Sequence, residues 1–383
     1  MIAIVLLAGC AGPAGGGFAA APSPQAAHRG TADAASAMPG DAATAMPGDA
    51  ATAMPGANFA CAPALATGAA SCTLAINVNV PPVGPSTPAA MIGGLHPSDL
   101  TSMYALPAQN GGGLVAIVDA YDAPSAESDL AVYRAAFGLP ACTSSNGCFR
   151  RVDQHGGTAY PQPDAGWSQE AALDLEMVSA ICPKCSLVLV EANSSQIDDL
   201  GAAVDTAAAL RPAAISNSYY ALEWANETDE DLHYRHPGIA ITASSGDRGK
   251  PSYPAVSHLV TAVGGTSLAS GSETAWAYGG SGCSAYVARP GWARGSCRTR
   301  TAVDVAAIAD PATGVAMFDA ASGGWLVAGG TSVGAPLVAA AYALGTPAGP
   351  AFSYAHPAGF HAIAASGYDA HTGLGSPAGI SGL

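Results

Sequence analysis

Basic side chains are scarce in this chain: 13 Lys and Arg stand against 28 Asp and Glu, leaving a net charge of −15 at pH 7. Such a balance repels phosphate backbones and argues against nucleic-acid binding. Long apolar runs at the start are missing too. The stretch from Met1 falls far short of the ~20 residues that a membrane-spanning helix needs, so any membrane contact is expected only through a lipid. A Cys-x-x-Cys unit occurs at Cys182-Pro-Lys-Cys185, but no second ligand pair accompanies it, which argues against a structural zinc site.

What is present begins with two acids where a helix should be apolar. In Ser168-Gln-Glu-Ala-Ala-Leu-Asp-Leu-Glu-Met-Val-Ser-Ala-Ile181, the residues Glu170, Asp174, Met177 and Ile181 stack on one helix face, and Glu176 falls on the opposite face, where a charge is expected. Burying carboxylates costs several kcal/mol unless they are paired or protonated. Two on a core-facing stripe suggest acid/base chemistry, since carboxyl pairs work by raised, split pKa values. The plainer alternative is an exposed edge of the stripe.

The second feature is Gly329-Gly-Thr-Ser-Val-Gly-Ala-Pro336, which leads into an apolar helix. Ser332 stands at the start of that helix, where free N–H groups and the dipole favour developing negative charge, as a nucleophile wants; a simple N-cap serine is the alternative. Gly264-Gly-Thr-Ser267 is a decoy, since it ends a strand-like run and lacks the proline and the buried helix. The third feature is Ile239-Ala-Ile-Thr-Ala-Ser-Ser-Gly-Asp-Arg-Gly249. It sets Asp247 in a Gly-flanked loop after a β-branched run, at the strand end where α/β sheets place their sites, although an Asp in a turn is often only a turn residue.

These three motifs, in this order, resemble the sedolisin family of serine-carboxyl peptidases over roughly Gly94 to Gly379. Supporting stretches are Gly94-Leu-His-Pro-Ser-Asp-Leu100, Val115-Ala-Ile-Val-Asp-Ala-Tyr-Asp122, Ile215-Ser-Asn-Ser-Tyr219, Asp304-Val-Ala-Ala-Ile-Ala-Asp-Pro311 and Gly367-Tyr-Asp-Ala-His-Thr-Gly-Leu-Gly375. The resemblance implies a subtilisin-like α/β fold in which Ser332 is the nucleophile, Glu170 its general base, Asp174 the support of Glu170, and a protonated Asp247 the oxyanion donor. The chemistry agrees: a carboxyl base needs a raised pKa, and an Asp donates only when protonated, so both point to acidic pH. Extended peptide is expected along Ser216-Asn217-Ser218. Asp119 resembles the acid of ordinary subtilisins. Those enzymes also need a His in a His-Gly context, and the one such pair here, His155-Gly156, lies in a polar loop, so Asp119 is read as structural or near the cleft.

Short apolar runs alternate with helical stretches after Gly94, which predicts a mostly parallel sheet with helices on both faces. The expected organisation is a signal segment at 1–10, an Ala/Gly/Pro linker at 11–57, a short Cys-containing segment at 58–93 and the peptidase domain at 94–383. The linker carries the octapeptide Ala-Met-Pro-Gly-Asp-Ala-Ala-Thr from Ala37 and again from Ala45. A unit so short and so rich in small residues reads as a disordered tether. Leu7-Ala-Gly-Cys10 looks like a lipoprotein signal, so Cys10 is expected to carry a lipid and the chain to sit on a bacterial cell envelope; secretion without a lipid is the alternative. The other eight cysteines fall in close pairs, Cys61 with Cys72, Cys142 with Cys148, Cys182 with Cys185 and Cys283 with Cys297, which suggests four disulfides formed outside the cytoplasm. His233-x-x-His236 is read as a surface pair.

Two departures from the family pattern stand out. The family's calcium site near the C-terminus would use Asp369 with the carbonyls of Ile363 and Gly367, but Ala362 stands where a first Asp is expected and the intervening loop is short. Losing a carboxylate should weaken or abolish binding, so no cofactor is expected to be required. The stretch before Gly94 is also too short and simple for the family's pro-domain, so activation by propeptide cleavage is not expected. The leading expectation is a monomeric, exported endopeptidase acting on peptide or unfolded protein. One competitor is a catalytically inactive lipoprotein that keeps the fold for binding. The other is an esterase built on Gly330-Thr-Ser-Val-Gly334 with Asp369 and His371, which so short a C-terminal remainder disfavours.

Overall fold

The computed structural model describes residues 54–64, 66–107, 112–345 and 349–383. Cys10 and nearly all of the expected tether lie outside them. Within the described residues the fold starts earlier than the sequence suggests: Met54 is buried and Ala57 opens the first strand, inside the stretch expected to be linker.

The chain begins with three short strands, β1 (Ala57–Phe59), β2 (Ala70–Cys72) and β3 (Ala75–Asn77), and a short helix α1 (Pro97–Met103). It then alternates β4 (Leu114–Ala120), α2 (Ala126–Ala136), β5 (Phe149–Asp153), α3 (Ala165–Ile181), β6 (Ser186–Ala192), α4 (Ile197–Ala209) and β7 (Ala214–Asn217). Next come β8 (Tyr219–Leu222), β9 (Ala240–Ser244), β10 (Ser252–Tyr253), β11 (Thr261–Ala269), β12 (Ser272–Ala275), β13 (Cys283–Ala288), β14 (Thr299–Thr301) and β15 (Val305–Ile308). The chain ends with β16 (Val315–Asp319), β17 (Gly324–Gly329), α5 (Thr331–Leu344), α6 (Pro350–Ala355), β18 (Phe360–His361) and β19 (Ser376–Pro377).

The central sheet runs β11-β9-β7-β4-β6-β5 with every neighbouring pair parallel. β15 adds a further parallel pairing to β11, and β12 closes that edge antiparallel. Runs such as Val115-Ala-Ile-Val118 and Leu187-Val-Leu-Val190 are fully buried, which is how a sheet covered on both faces reads in sequence. Helices α3 and α5 pack on each other and on the sheet. Helix α4 packs on β4 and β6 away from both, on the opposite face.

Helix α3 is rich in Ala, Leu, Glu and Met, and its N-cap Asp164 accepts from the Gly166 and Trp167 amides at 3.0 and 3.1 Å. Every residue from Glu170 to Ile181 is buried, because α5, α2, β4 and β16 surround the helix. The expected solvent face of Glu176 is therefore absent: its carboxyl is buried and accepts from the Phe318 amide at 2.9 Å.

All four close cysteine pairs form disulfides: Cys61–Cys72, Cys142–Cys148, Cys182–Cys185 and Cys283–Cys297. The segment 58–93 is built into the domain's sheets. β1 and β3 join β17 and β16, while β2 lies against β8 in a sheet with β10. No helix among the described residues is long and apolar enough to cross a membrane.

Candidate active site

The carboxyl ends of the parallel strands and the N-terminus of α5 converge on one side of α3. Glu170 and Asp174, one turn apart on α3, are both fully buried. Ser218, the residue after β7, donates its hydroxyl to Asp174 Oδ1 at 2.8 Å. Ser332 is the second residue of α5, fully buried; its hydroxyl lies 2.6 Å from the Thr73 hydroxyl and 3.5 Å from the Ser218 carbonyl.

Burial drives the Glu170 carboxyl well above the usual carboxylate range, and the charges of Asp119 and Asp247 push the same way. The Ser332 hydroxyl and the Leu74 amide lie close enough to pull it back, but neither makes a hydrogen bond of good geometry, so both Glu170 oxygens are unpartnered. Asp174 is likewise raised by burial and then by Asp119 and Glu170, against the opposing bond from Ser218. A carboxyl pair held this way keeps its protons to a higher pH than free carboxyls do.

Asp247 follows β9 in the loop Ser245-Gly246-Asp247, where Gly246 adopts φ 91°. Its Oδ1 accepts from the Thr331 amide at 2.9 Å and the Thr331 hydroxyl at 2.8 Å. Oδ2 has no partner and is the oxygen left to carry a proton. Burial raises this carboxyl to about 7, against the two Thr331 bonds. Gly330, at φ 94°, lets the backbone come this close: a Cβ there would stand 1.7 Å from the Thr73 carbonyl and 2.7 Å from Asp247 Oδ2.

Three features here go beyond the sequence reading, which places Asp119 only as structural or near the cleft. The first is Asp119, at the end of β4, whose two buried oxygens have no partner and whose charge is the largest electrostatic influence on both Glu170 and Asp174. An acid ending an otherwise apolar strand was the available signal. The second is the substrate edge. Ser216 and Asn217 sit inside β7, paired with β4 on one side and β9 on the other, so they have no free edge to offer a peptide. Ser218 instead holds Asp174. The nearest alternative is the edge of β8 that is not paired with β10.

The third is that this edge is already taken. β2 pairs antiparallel with β8, Cys72 opposite Tyr219 and Ala70 opposite Ala221, and the chain continues through Thr73 directly onto Ser332. The space left beside Asp247, lined by Phe59, Cys61, Cys72, Tyr220 and Arg248, is about 20 Å³, room for little more than one water. A segment of the chain itself, stapled by Cys61–Cys72, thus occupies that edge of β8.

The other candidates fall elsewhere. Ser267 is bonded to Asp310 at 2.7 Å, away from the carboxyl pair. His155 and His371 are exposed. His233 and His236 both contact Asp205, at 2.6 and 3.1 Å. Asp369 Oδ1 accepts from the amides of His371 and Thr372 and from the Thr372 hydroxyl. The donor set around Ile363 and Gly367 offers calcium little: that carboxylate oxygen is committed to its own turn, and no group of three or more His, Cys, Asp or Glu side chains that could hold a metal occurs among the described residues.

No family model matches the chain. It is 30% identical over 354 residues to kumamolisin from Bacillus sp. (strain MN-32), an alignment covering 74% of this chain and 62% of that protein. The chain thus spans less than two thirds of this relative's length. Among solved structures it resembles Pseudomonas sedolisin, a serine-carboxyl proteinase complexed with two molecules of pseudo-iodotyrostatin, with a TM-score of 0.64 and 22% identity. That likeness covers 75% of this chain and 96% of that one. Fervidolysin from Fervidobacterium pennivorans, a keratinolytic enzyme related to subtilisin, matches with a TM-score of 0.50 and 14% identity over 70% of this chain and 41% of that one.

Proposed function

From a chain that is a relative of the sedolisin family, we propose an exported serine-carboxyl endopeptidase that cleaves peptide bonds at acidic pH. The observation that carries the reading is the meeting of Ser332, Glu170, Asp174 and Asp247 at one buried point, with the carboxyls held above their usual range by burial.

The ionised fraction of Glu170, small because burial raises its pKa, takes the Ser332 proton as the hydroxyl oxygen attacks the substrate carbonyl. An acyl-enzyme forms on Ser332, and Glu170 returns the proton to the leaving amine. Asp174, fixed by Ser218, stabilises and orients Glu170. Asp247 donates from Oδ2 to the developing oxyanion, which it can do only while protonated. Peptide pairs with β8 by backbone hydrogen bonds in place of β2. The mechanism routes no step through a metal. A lipid on Cys10 would hold the domain at the cell envelope.

The strand that covers Ser332 must leave this edge before a substrate can enter. It is also the observation that favours the second reading, an inactive binding lipoprotein whose old cleft is filled by its own chain. Hydrolysis of a denatured protein, followed from strongly acidic to neutral pH, separates the two readings. The full chain and a chain cut on the N-terminal side of Gly94 are both assayed. Acid-confined hydrolysis that rises after the cut is the expected result. No hydrolysis in either correctly folded form moves the reading to the binding lipoprotein.

Asp247→Asn tests the oxyanion role. Above about pH 7 the wild-type carboxyl ionises, stops donating and repels the oxyanion. An amide donates at every pH. The alkaline limb of kcat is therefore expected to move upward, with a loss of about tenfold at the acid optimum because the amide is a weaker donor. Rates are normalised to the folded fraction by circular dichroism. An unmoved alkaline limb removes Asp247 from this role.

A further inference from the structure

We propose that Asp119 and Glu191 form a proton path that leads from the buried Glu170–Asp174 pair, through the sheet, to the surface at Arg151 and Asp122. The role given to Glu170 rests on the reading above; the path itself rests on strand register and burial.

In β4 and β6, Asp119 stands opposite Glu191, and in β6 and β5, Glu191 stands opposite Asp153. Val118 stands opposite Asn217, so Ser218 is the next residue beside Asp119. In-register neighbours on parallel strands point to the same face, ~4.8 Å apart along the hydrogen-bonding direction. Ser218, Asp119, Glu191 and Asp153 thus form one row across the carboxyl end of the sheet. Ser218 is bonded to Asp174 at one end of the row.

Six oxygens along this route are buried without a partner: both of Glu170, both of Asp119, Asp174 Oδ2 and Glu191 Oε2. Unpaired buried carboxylates are costly, so these groups hold protons, and a chain of carboxylic acids both gives and accepts them. Glu191 Oε1 faces the other way. It accepts from the Ala123 amide at 2.9 Å and lies 3.5 Å from Arg151 Nη1. Arg151 is also paired with Asp122 and covers the Tyr160 ring at 4.0 Å. The Arg151 and Asp122 side chains are 22% and 15% exposed and form the outlet.

The charged and titratable groups facing the path set where its protons sit. Asp119 faces Glu191, Glu170 and Asp174, with Tyr219 at its side. Burial lifts Asp119 well above its usual range, and Glu191 adds to this. Glu191 is raised to about 7 by burial, against Ala123 and Arg151 and with Asp122. Asp153 is different: burial raises it, but amides of Gly157, Ala159 and His155 hold it below the ordinary range, so it stays ionised at the rim.

Each transfer moves one proton. A hydronium beside Arg151 protonates Glu191 and leaves water; Glu191 passes a proton from Oε2 to Asp119, directly or through one bridging water; Asp119 passes one to Glu170 or Asp174. No other charge moves. With Thr73 on Ser332 closing the front, this route lets the pair equilibrate with solvent. The other titratable neighbour of Glu170 is Asp247, on the Ser332 side.

The test uses the full chain carrying Ser332→Ala, so that no hydrolysis interferes. A rapid pH jump is followed by infrared absorption of the carboxyl groups, with the Glu170 signal assigned by difference against Glu170→Gln. Adding Glu191→Gln is expected to slow the relaxation by about 10²-fold while leaving its end point unchanged, since Gln keeps the Ala123 contact but cannot pass a proton. A general structural disturbance would move the end point. Should Glu191→Gln fold poorly, Asp119→Asn breaks the same path one step further in. An unchanged rate in a folded variant overturns the proposal. So does slowing confined to Asp247→Asn, which would place the route at the front. Slowed relaxation in a chain that never hydrolyses peptide leaves the path standing and removes the peptidase reading.

Discussion

Ser332→Ala is expected to lower kcat for peptide hydrolysis by about 10⁶-fold, and Glu170→Gln by as much, because a nucleophile and its base act as one unit. Asp174→Asn is expected to cost less, about 10⁴-fold, the usual loss for the group that only orients the base. The structure makes these substitutions clean. Glu170 is fully buried with neither oxygen hydrogen-bonded, so an amide of the same shape removes a group that is costly to ionise there and leaves no new cavity. Ser332→Ala frees the Thr73 hydroxyl but touches no helix contact. Both variants should melt at or above the wild-type temperature at the assay pH. The check is single-turnover and steady-state hydrolysis by cut, folded protein across the acid range. Activity that survives Glu170→Gln at the wild-type level assigns the base elsewhere, with Asp119 the next group to change.

The difference between what could and could not be read in advance is physical. Glu170 and Asp174 were legible because helical period places i and i+4 on one stripe, and both do lie on a buried face. Glu176 was misread by the same rule, which assumes a solvent face that α3 does not have. The disulfides were legible from short spacing alone. The cover over Ser332 was not. β2 and β3 have three residues each, too few for a usable period, and Thr73 meets Ser332 across 259 positions of sequence. Local propensity carries no information about a contact so distant. That β7 is paired on both edges was missed for a related reason. Sequence shows that a strand ends near Ser218, whereas which strand has both edges occupied is a property of the assembled sheet.

The buried carboxyls also fix how stability must depend on pH. For an acid whose folded pKa is raised, the folded state binds the proton more tightly than the unfolded chain. Its stabilisation is complete below the unfolded value, about 4, and is lost as pH rises to the folded value. Burial raises Glu191 to about 7 and Asp247 to about 7, and burial with the nearby Glu223 raises Glu227 to about 8. Glu170, Asp174, Asp119 and Glu176 are raised well above their usual range by the same cause. At 1.36 kcal/mol per pKa unit, each of the first three accounts for roughly 3 kcal/mol or more between about pH 4 and 8. Domains hold only about 5–15 kcal/mol in total. The urea midpoint is therefore expected to be highest in acid and to fall steadily from about pH 5 to 8. Glu227→Gln, remote from the proposed chemistry, should flatten that slope and raise the midpoint near pH 8 without changing it near pH 4. A midpoint that instead rises toward neutral pH would mean that these carboxyls ionise freely in the folded chain, and that burial does not hold Asp247 protonated as an oxyanion donor up to about pH 7.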